Sequence, residues 1–261
     1  MKSLILLSSL ILSAAAHAEI RTEVVEYKQG DTVLEGYLAY DAKSAAKRPG
    51  VVVVHDWMGL SANTKARAEQ LAKLGYTAFA ADIYGKGVRP KNADEASKLA
   101  TMYKKDRALL RKRVQAAYDT LKKQKTVDGA RVAAIGYCFG GTTALELARS
   151  GTELKGVVSF HGGLDTPNPA DAKNIKGKVL ALHGADDPFV PAEQVKAFED
   201  EMRAGGVDWE LVKYSKAVHS FTIPDAGNDN SKGAAYNPEA DRRSWQAMRD
   251  FFDEIFGQGK S

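Results

Sequence analysis

Two kinds of apolar pattern alternate along the chain. Val51-Val52-Val53-Val54 is a continuous block of β-branched residues, bounded by Pro49-Gly50 before it and Gly59 after it. Comparable blocks run from Tyr76 to Ala80, Arg131 to Ile135, Val157 to Phe160, Val179 to Leu182 and Trp209 to Tyr214. Between them, apolar residues recur at helical spacing from about Ala62 to Leu74, Lys104 to Lys125, Gly140 to Arg149, Ala192 to Arg203 and Asn237 to Phe256. Continuous short blocks suit strands buried on both faces, and amphipathic stretches suit the helices that cover them. The pattern predicts a mostly parallel sheet with helices on both sides. Ahead of it, Thr22 to Tyr27 and Thr32 to Ala39 flank Gly30-Asp31 as an antiparallel hairpin would.

The first eighteen residues do not join this pattern. Lys2 gives a positive start, Leu4 to Leu12 is apolar apart from two serines, and Ala16-His17-Ala18 is a small-x-small ending before Glu19. This is the layout of a secretory signal peptide, with cleavage expected after Ala18 and export to the periplasm or beyond. Its apolar stretch falls short of the roughly 20 residues that a membrane-spanning helix needs. Residues 19–261 contain no repeat, low-complexity tract or linker, and are expected to form one domain.

Charge changes the picture little. The net charge is +4 over 261 residues. Bases concentrate between Lys104 and Lys125, but Leu109, Leu110, Val114, Ala117, Tyr118 and Leu121 share that segment at helical spacing. A surface helix with a solvated basic face explains them, and no aromatic platform for nucleic acid accompanies the charge. The five histidines show no metal-ligand spacing, so neither a metal nor another cofactor is expected. A single cysteine, Cys138, cannot form an internal disulfide in an oxidising compartment, so it is either a buried filler or a working thiol.

Its neighbours choose between these. Gly136-Tyr137-Cys138-Phe139-Gly140 lies between an expected strand and an expected helix. That is the form of a nucleophile elbow with Cys in place of Ser. The turn is sharp, side chains two residues either side would clash, and the helix that follows aims its N-terminal dipole at the thiol. An elbow calls for an acid and then a histidine further on, each past a later strand. Asp186 and Asp187 follow Val179–Leu182, and His219 follows Trp209–Tyr214. Asp187, just before Pro188-Phe189-Val190-Pro191, is taken as the acid and Asp186 as a turn residue. His161 and His183 each precede a glycine at a strand end and are read as satisfying local backbone groups.

His55-Asp56-Trp57-Met58-Gly59 follows the first core strand. The amides of Trp57 and Phe139 are the candidate oxyanion hole. Asp56 either modulates the thiol, by repelling a thiolate or accepting from S–H, or fixes its own loop.

These motifs resemble the dienelactone hydrolase family, the carboxymethylenebutenolidases, over nearly the whole of residues 19–261. The resemblance rests on His55-Asp56-Trp57-Met58-Gly59, Gly75-Tyr76 with Ala81-Asp82-Ile83-Tyr84-Gly85, Gly136-Tyr137-Cys138-Phe139-Gly140-Gly141, and Asp187-Pro188-Phe189-Val190-Pro191 with His219-Ser220-Phe221. It implies an α/β-hydrolase fold, a Cys138–Asp187–His219 triad, and hydrolysis of a small ester or lactone through a thioester. Two positions depart from the family. Asp56 stands where the family has a glutamate that restrains the resting thiol. Ile223 stands where it has a carboxylate-binding arginine, four residues after the catalytic histidine. Tyr84, Phe221 and Ile223 are the expected pocket residues, with Arg89, Lys98 or Arg107 as substitute bases. A monomer acting on neutral or apolar esters and lactones is expected. A promiscuous phosphotriester hydrolase, or a weakly active binding relative, is the alternative.

Overall fold

The computed structural model describes residues 18–257. The expected signal peptide lies outside the described residues except for Ala18.

Eight strands form one sheet in the order β1-β2-β4-β3-β5-β6-β7-β8. Strands β1 (Ile20–Gln29) and β2 (Thr32–Asp41) are the antiparallel hairpin, and β2 also runs antiparallel to β4 (Thr77–Ala81). From β4 onward the pairing is parallel, through β3 (Arg48–Val54), β5 (Val127–Tyr137), β6 (Gly156–Phe160), β7 (Lys178–Gly184) and β8 (Trp209–Tyr214). The architecture is that of an α/β-hydrolase.

The valine block shows why both faces are covered. Successive strand residues point to opposite faces. Val52 and Val54 enter one apolar cluster with Leu110, Leu121 and Leu145, whereas Val51 and Val53 enter another with Leu71, Met248 and Phe252. The first cluster is roofed by α3 (Arg107–Lys122) and α4 (Phe139–Arg149), the second by α1 (Ala62–Lys73) and α6 (Pro238–Phe256). Between β7 and β8 lies α5 (Ala192–Gly205).

The basic segment differs from expectation. It is not one helix from Lys104 to Lys125 but two, α2 (Ala93–Lys105) and α3, meeting at Asp106. Asp106 leaves helical geometry at ψ 76°, and its side chain accepts the amide of Leu109 at 2.9 Å. That bond satisfies one of the amides a new helix leaves open, and so favours a second start over continuation. The break lets α2 turn across the carboxyl end of the sheet.

Helix α4 carries an ion cluster on its back. Arg149, fully buried, bonds Glu201 of α5 at 2.7 Å and Glu146 at 3.0 Å. Glu146 also meets Arg111 of α3 at 2.8 Å. The guanidinium donates further to the carbonyl of Leu164 at 3.0 Å, so its fork is well occupied. Removing it would strand the buried Glu201 carboxylate and leave Glu146 with Arg111 as its remaining cation. Arg149→Ala is therefore expected to lower stability by about 3–5 kcal/mol, read as a fall in urea midpoint. Arg203→Ala, on the exposed side of α5, should leave the midpoint unchanged.

Candidate active site

Loops at the carboxyl ends of β3, β5, β7 and β8 converge on one place, where ligand sites of such sheets lie. Cys138 is at its centre, with φ 53° and ψ −116°. A side chain in that region of backbone space is strained and is held only by its surroundings. Here the amide of Cys138 donates to the carbonyl of Phe160 at 3.0 Å, and its carbonyl accepts from Gly141 at 3.0 Å. A Cβ on Gly136 would lie 1.9 Å from the carbonyl oxygen of Gly140, and a Cβ on Gly140 would lie 2.3 Å from that of Val54. Both glycines are therefore required by the closeness of strand, turn and helix.

The thiol faces His219. Cys138 Sγ lies 2.9 Å from His219 Nε2, and His219 Nδ1 lies 2.8 Å from Asp187 Oδ2. Asp187 is buried, and its other oxygen accepts the amide of Phe189 at 2.8 Å. That bond leaves Oδ2 aimed at the imidazole, so Nδ1 carries the proton given to Asp187. Asp186 is exposed, and among the described residues its amide donates to the carbonyl of Ala217 while its carboxylate has no hydrogen bond. Of the two aspartates, the structure brings Asp187 to the histidine. Burial works against charge on His219, but the neighbouring Cys138 charge and the bonds to Asp187 and Cys138 outweigh it. Its pKa is pushed up to about 10.

The loop after β3 approaches the same thiol. Trp57 and Phe139 line a cavity of about 170 Å³ beside Cys138. Among the described residues, neither the Trp57 amide nor the Phe139 amide has an internal acceptor. The loop is held from below. His55 Nδ1 donates to the carbonyl of Asp56 at 2.5 Å, while Nε2 accepts the amide of Ile83 at 3.2 Å. Burial takes the His55 pKa down to about 4, so it remains neutral in this role. Tyr84 donates its hydroxyl to the carbonyl of Trp57 at 2.9 Å. Asp56 accepts the amide of Met58 at 2.7 Å, and burial pushes its carboxyl pKa up. Its hydrogen bonding is thus within its own loop, and none to Cys138 is found among the described residues.

The cavity walls differ from those expected. Tyr84 is buried below the Trp57 loop rather than in the wall. Phe221 is fully buried and packs against His161 at 5.0 Å. Ile223 is half-buried and does not line the cavity. The reason is the backbone turn at Ser220, with φ 58°, after which the chain heads into the core. The apolar walls are instead Trp57, Ala100, Phe139, Phe189 and Val190. Helix α2, which the sequence reading missed, adds Ser97, Thr101 and Lys104, and Thr142 closes the floor. The capping aspartate at 106 was the signal that could have separated α2 from α3.

The bases proposed from sequence also lie elsewhere. Arg89 is 3.6 Å from Asp82, Arg107 bonds Asp165 at 2.7 Å, and Lys98 is exposed outside the wall. Lys104 is the basic side chain in the lining, 3.9 Å from Asp165. His161 bonds a side chain, Thr222 Oγ1, rather than the backbone expected of it. A larger cleft of about 1030 Å³ opens at the amino ends of β5 to β8, but it contains none of these groups. Among the described residues no cluster of His, Cys, Asp or Glu is arranged to hold a metal, and no helix is long and apolar enough to cross a membrane.

With this fold and site in view, the chain belongs to the dienelactone hydrolase family, whose model matches residues 34–256. It is an enzyme of that hydrolase family. A solved structure named m3DLH is 44% identical and superposes with a TM-score of 0.87, covering 90% of this chain and 98% of its own. A dienelactone hydrolase-like promiscuous phosphotriesterase from metagenomic libraries is 45% identical, with the same TM-score of 0.87 and the same coverage of 90% and 98%. A putative carboxymethylenebutenolidase of Aquifex aeolicus is 28% identical over 234 residues, 88% of this chain and 97% of its own length.

The electrostatics give a pH test. With Cys138 present, the His219 imidazolium should persist to about pH 10, followed by nitrogen NMR of labelled histidine. In Cys138→Ala the charge and hydrogen bond of the thiol no longer raise the pKa while burial still lowers it, so the titration should move down. An unchanged titration would show that the thiol does not share the histidine's proton.

Proposed function

We propose that this chain is an exported cysteine hydrolase that cleaves neutral carboxylic esters and lactones through a thioester on Cys138. The observation that carries this reading is the chain Sγ···Nε2 at 2.9 Å and Nδ1···Oδ2 at 2.8 Å. His219 Nε2, 2.9 Å from Sγ, is placed to take the thiol proton as sulfur attacks, and the raised pKa of His219 favours that transfer. Sulfur attacks the carbonyl carbon, and the carbonyl oxygen becomes an oxyanion held by the free amides of Trp57 and Phe139. His219 Nε2 then gives its proton to the leaving alkoxide as the C–O bond breaks. A water molecule loses a proton to His219, attacks the thioester, and the thiolate leaves. Asp187 holds the imidazole tautomer and stabilises its positive charge throughout, without taking the proton.

Restraint of the resting thiol by Asp56 gains no support from its bonding, which favours the loop-fixing alternative. The neutral-substrate reading is supported by the apolar walls and by the sharing of Lys104 with Asp165. A second reading, turnover of activated phosphotriesters at the same thiol, is favoured by the 45% identity to the promiscuous phosphotriesterase.

Hydrolysis of p-nitrophenyl acetate tests the machinery. Cys138→Ala and His219→Ala should each lose about four orders of magnitude or more in kcat, and Asp187→Asn less than either. Iodoacetamide should abolish wild-type activity. Near-wild-type rates in purified Cys138→Ala, or a greater loss in Asp186→Asn than in Asp187→Asn, would contradict the assignment. Export is tested by amino-terminal sequencing of the protein from the periplasmic or secreted fraction, which should begin at Glu19.

Substrate charge is tested with a neutral lactone and a dienelactone of similar size. The neutral compound should be preferred by about tenfold or more in kcat/KM, the cost of an anion that loses a charged hydrogen bond. Lys104→Met should change the neutral rate by less than about threefold, which is below 1 kcal/mol. An anion preference in wild type that disappears in Lys104→Met would show that Lys104 is the missing carboxylate clamp.

A further inference from the structure

His161 combines three costly features. It follows β6 with φ 41°, a backbone region disfavoured for any residue with a side chain. Its ring is fully buried. Its Nδ1 has no hydrogen-bond partner among the described residues. If the purpose were only to fill space, Phe or Leu would do so without desolvating two ring nitrogens. An outlier of this kind, beside reacting groups, is grounds for asking what it holds in place.

His161 lies between the two chain segments that carry the reacting atoms. On one side is the elbow, whose Cys138 amide donates to Phe160, the residue before His161. On the other is the loop from His219 to Ile223. His161 Nε2 lies 2.8 Å from Thr222 Oγ1, and the His161 ring meets the His219 ring edge-on, with centroids 5.4 Å apart. Thr222 is itself fully buried. With Nε2–H donating to Thr222, Nδ1 is left as a bare lone pair, which is the cheaper orphan to bury. Burial first, and then the charge of His219, keep His161 neutral. A neutral ring can sit against the imidazolium, where a second cation would repel it.

We propose that His161 is a positioning residue that sets the approach of His219 to Cys138 through its bond to Thr222 and its contact with the His219 ring. The proposal rests on the triad reading above. The loop has other anchors: Arg67 donates to the carbonyl of Thr222 at 3.0 Å, the amide of His219 donates to Gly233, and Ala235 donates to His219. Loss of the His161 bond should therefore let the imidazole drift without unfolding the loop.

The test measures kcat, KM and melting temperature with a neutral p-nitrophenyl ester on His161→Leu, His161→Gln, Thr222→Val and Thr222→Ser. A misplacement of about 1 Å can cost on the order of 100-fold in rate. His161→Leu and Thr222→Val should each lower kcat by about 10- to 100-fold with KM changed less than about threefold. The double variant should be no worse than the poorer single one, because both changes remove one link. Thr222→Ser keeps the hydroxyl, and His161→Gln keeps a side-chain amide in reach of it; both should recover most of the rate. If His161→Leu fails to fold, the comparison of Thr222→Val with Thr222→Ser decides alone. Wild-type kcat in Thr222→Val, additive losses in the double variant, or no recovery in Thr222→Ser would overturn the proposal. Full activity in His219→Ala would instead overturn the triad reading on which it rests.

Discussion

Cys138 is kept at φ 53° and ψ −116° because strand β5, the turn and helix α4 leave no other path between them. The contacts that impose this are backbone against backbone: Gly136 on Gly140, and Gly140 on the carbonyl of Val54. Everything else in the site is placed relative to that turn. It raises the sulfur above the sheet, puts the Phe139 amide beside it, and starts α4 beneath it. The unpaired amides of a helix start carry partial positive charge, which favours a thiolate and later an oxyanion. The strain is sustained by the burial of α4, whose residues from Phe139 to Arg149 are all buried, and by the ion cluster that ties its end to α3 and α5.

Around the turn, polarity is arranged by burial more than by net charge. Asp187 is dry on both oxygens yet has a donor for each, so it remains an acceptor for His219. His55 and His161 are equally dry, and burial keeps both uncharged, with the charge of His219 acting in the same direction on His161. Of the three histidines in this region, two are thus held neutral and one has its pKa raised, because their partners differ. Tyr84 belongs to the same design. Burial, and then the negative charges of Cys138 and Asp56, push its phenol pKa up, so it stays a donor to the Trp57 carbonyl.

The sheet and the elbow were legible in the sequence because each rests on local chemistry. Buried strands must be apolar on both faces, as Val51 to Val54 are, and a sharp turn must shed side chains, as Gly136 and Gly140 do. The placement of Asp187 and His219 beside Cys138 followed from chain order, since each loop leaves the same end of a parallel sheet. The cavity wall was not legible in this way. Which face of a loop a residue presents depends on turns such as Ser220, whose φ of 58° sends Phe221 into the core and leaves Ile223 away from the thiol. Lys104 was hidden for a different reason: an unbroken basic, amphipathic stretch concealed the restart at Asp106 that lays α2 over the site. His161 looked like an ordinary strand-end histidine, because its partner Thr222 lies 61 positions away in sequence.

The proposed mechanism carries the substrate's acyl group through the sulfur of Cys138 before water takes it. Acid-quenched mass spectrometry during turnover of a slow neutral ester tests it most directly. The account predicts that the acyl mass appears on the peptide containing Cys138 within the first turnover, is discharged by neutral hydroxylamine, and is absent in Cys138→Ala. Turnover at a full rate with no acyl adduct on that peptide, or with the adduct on another residue, would contradict it.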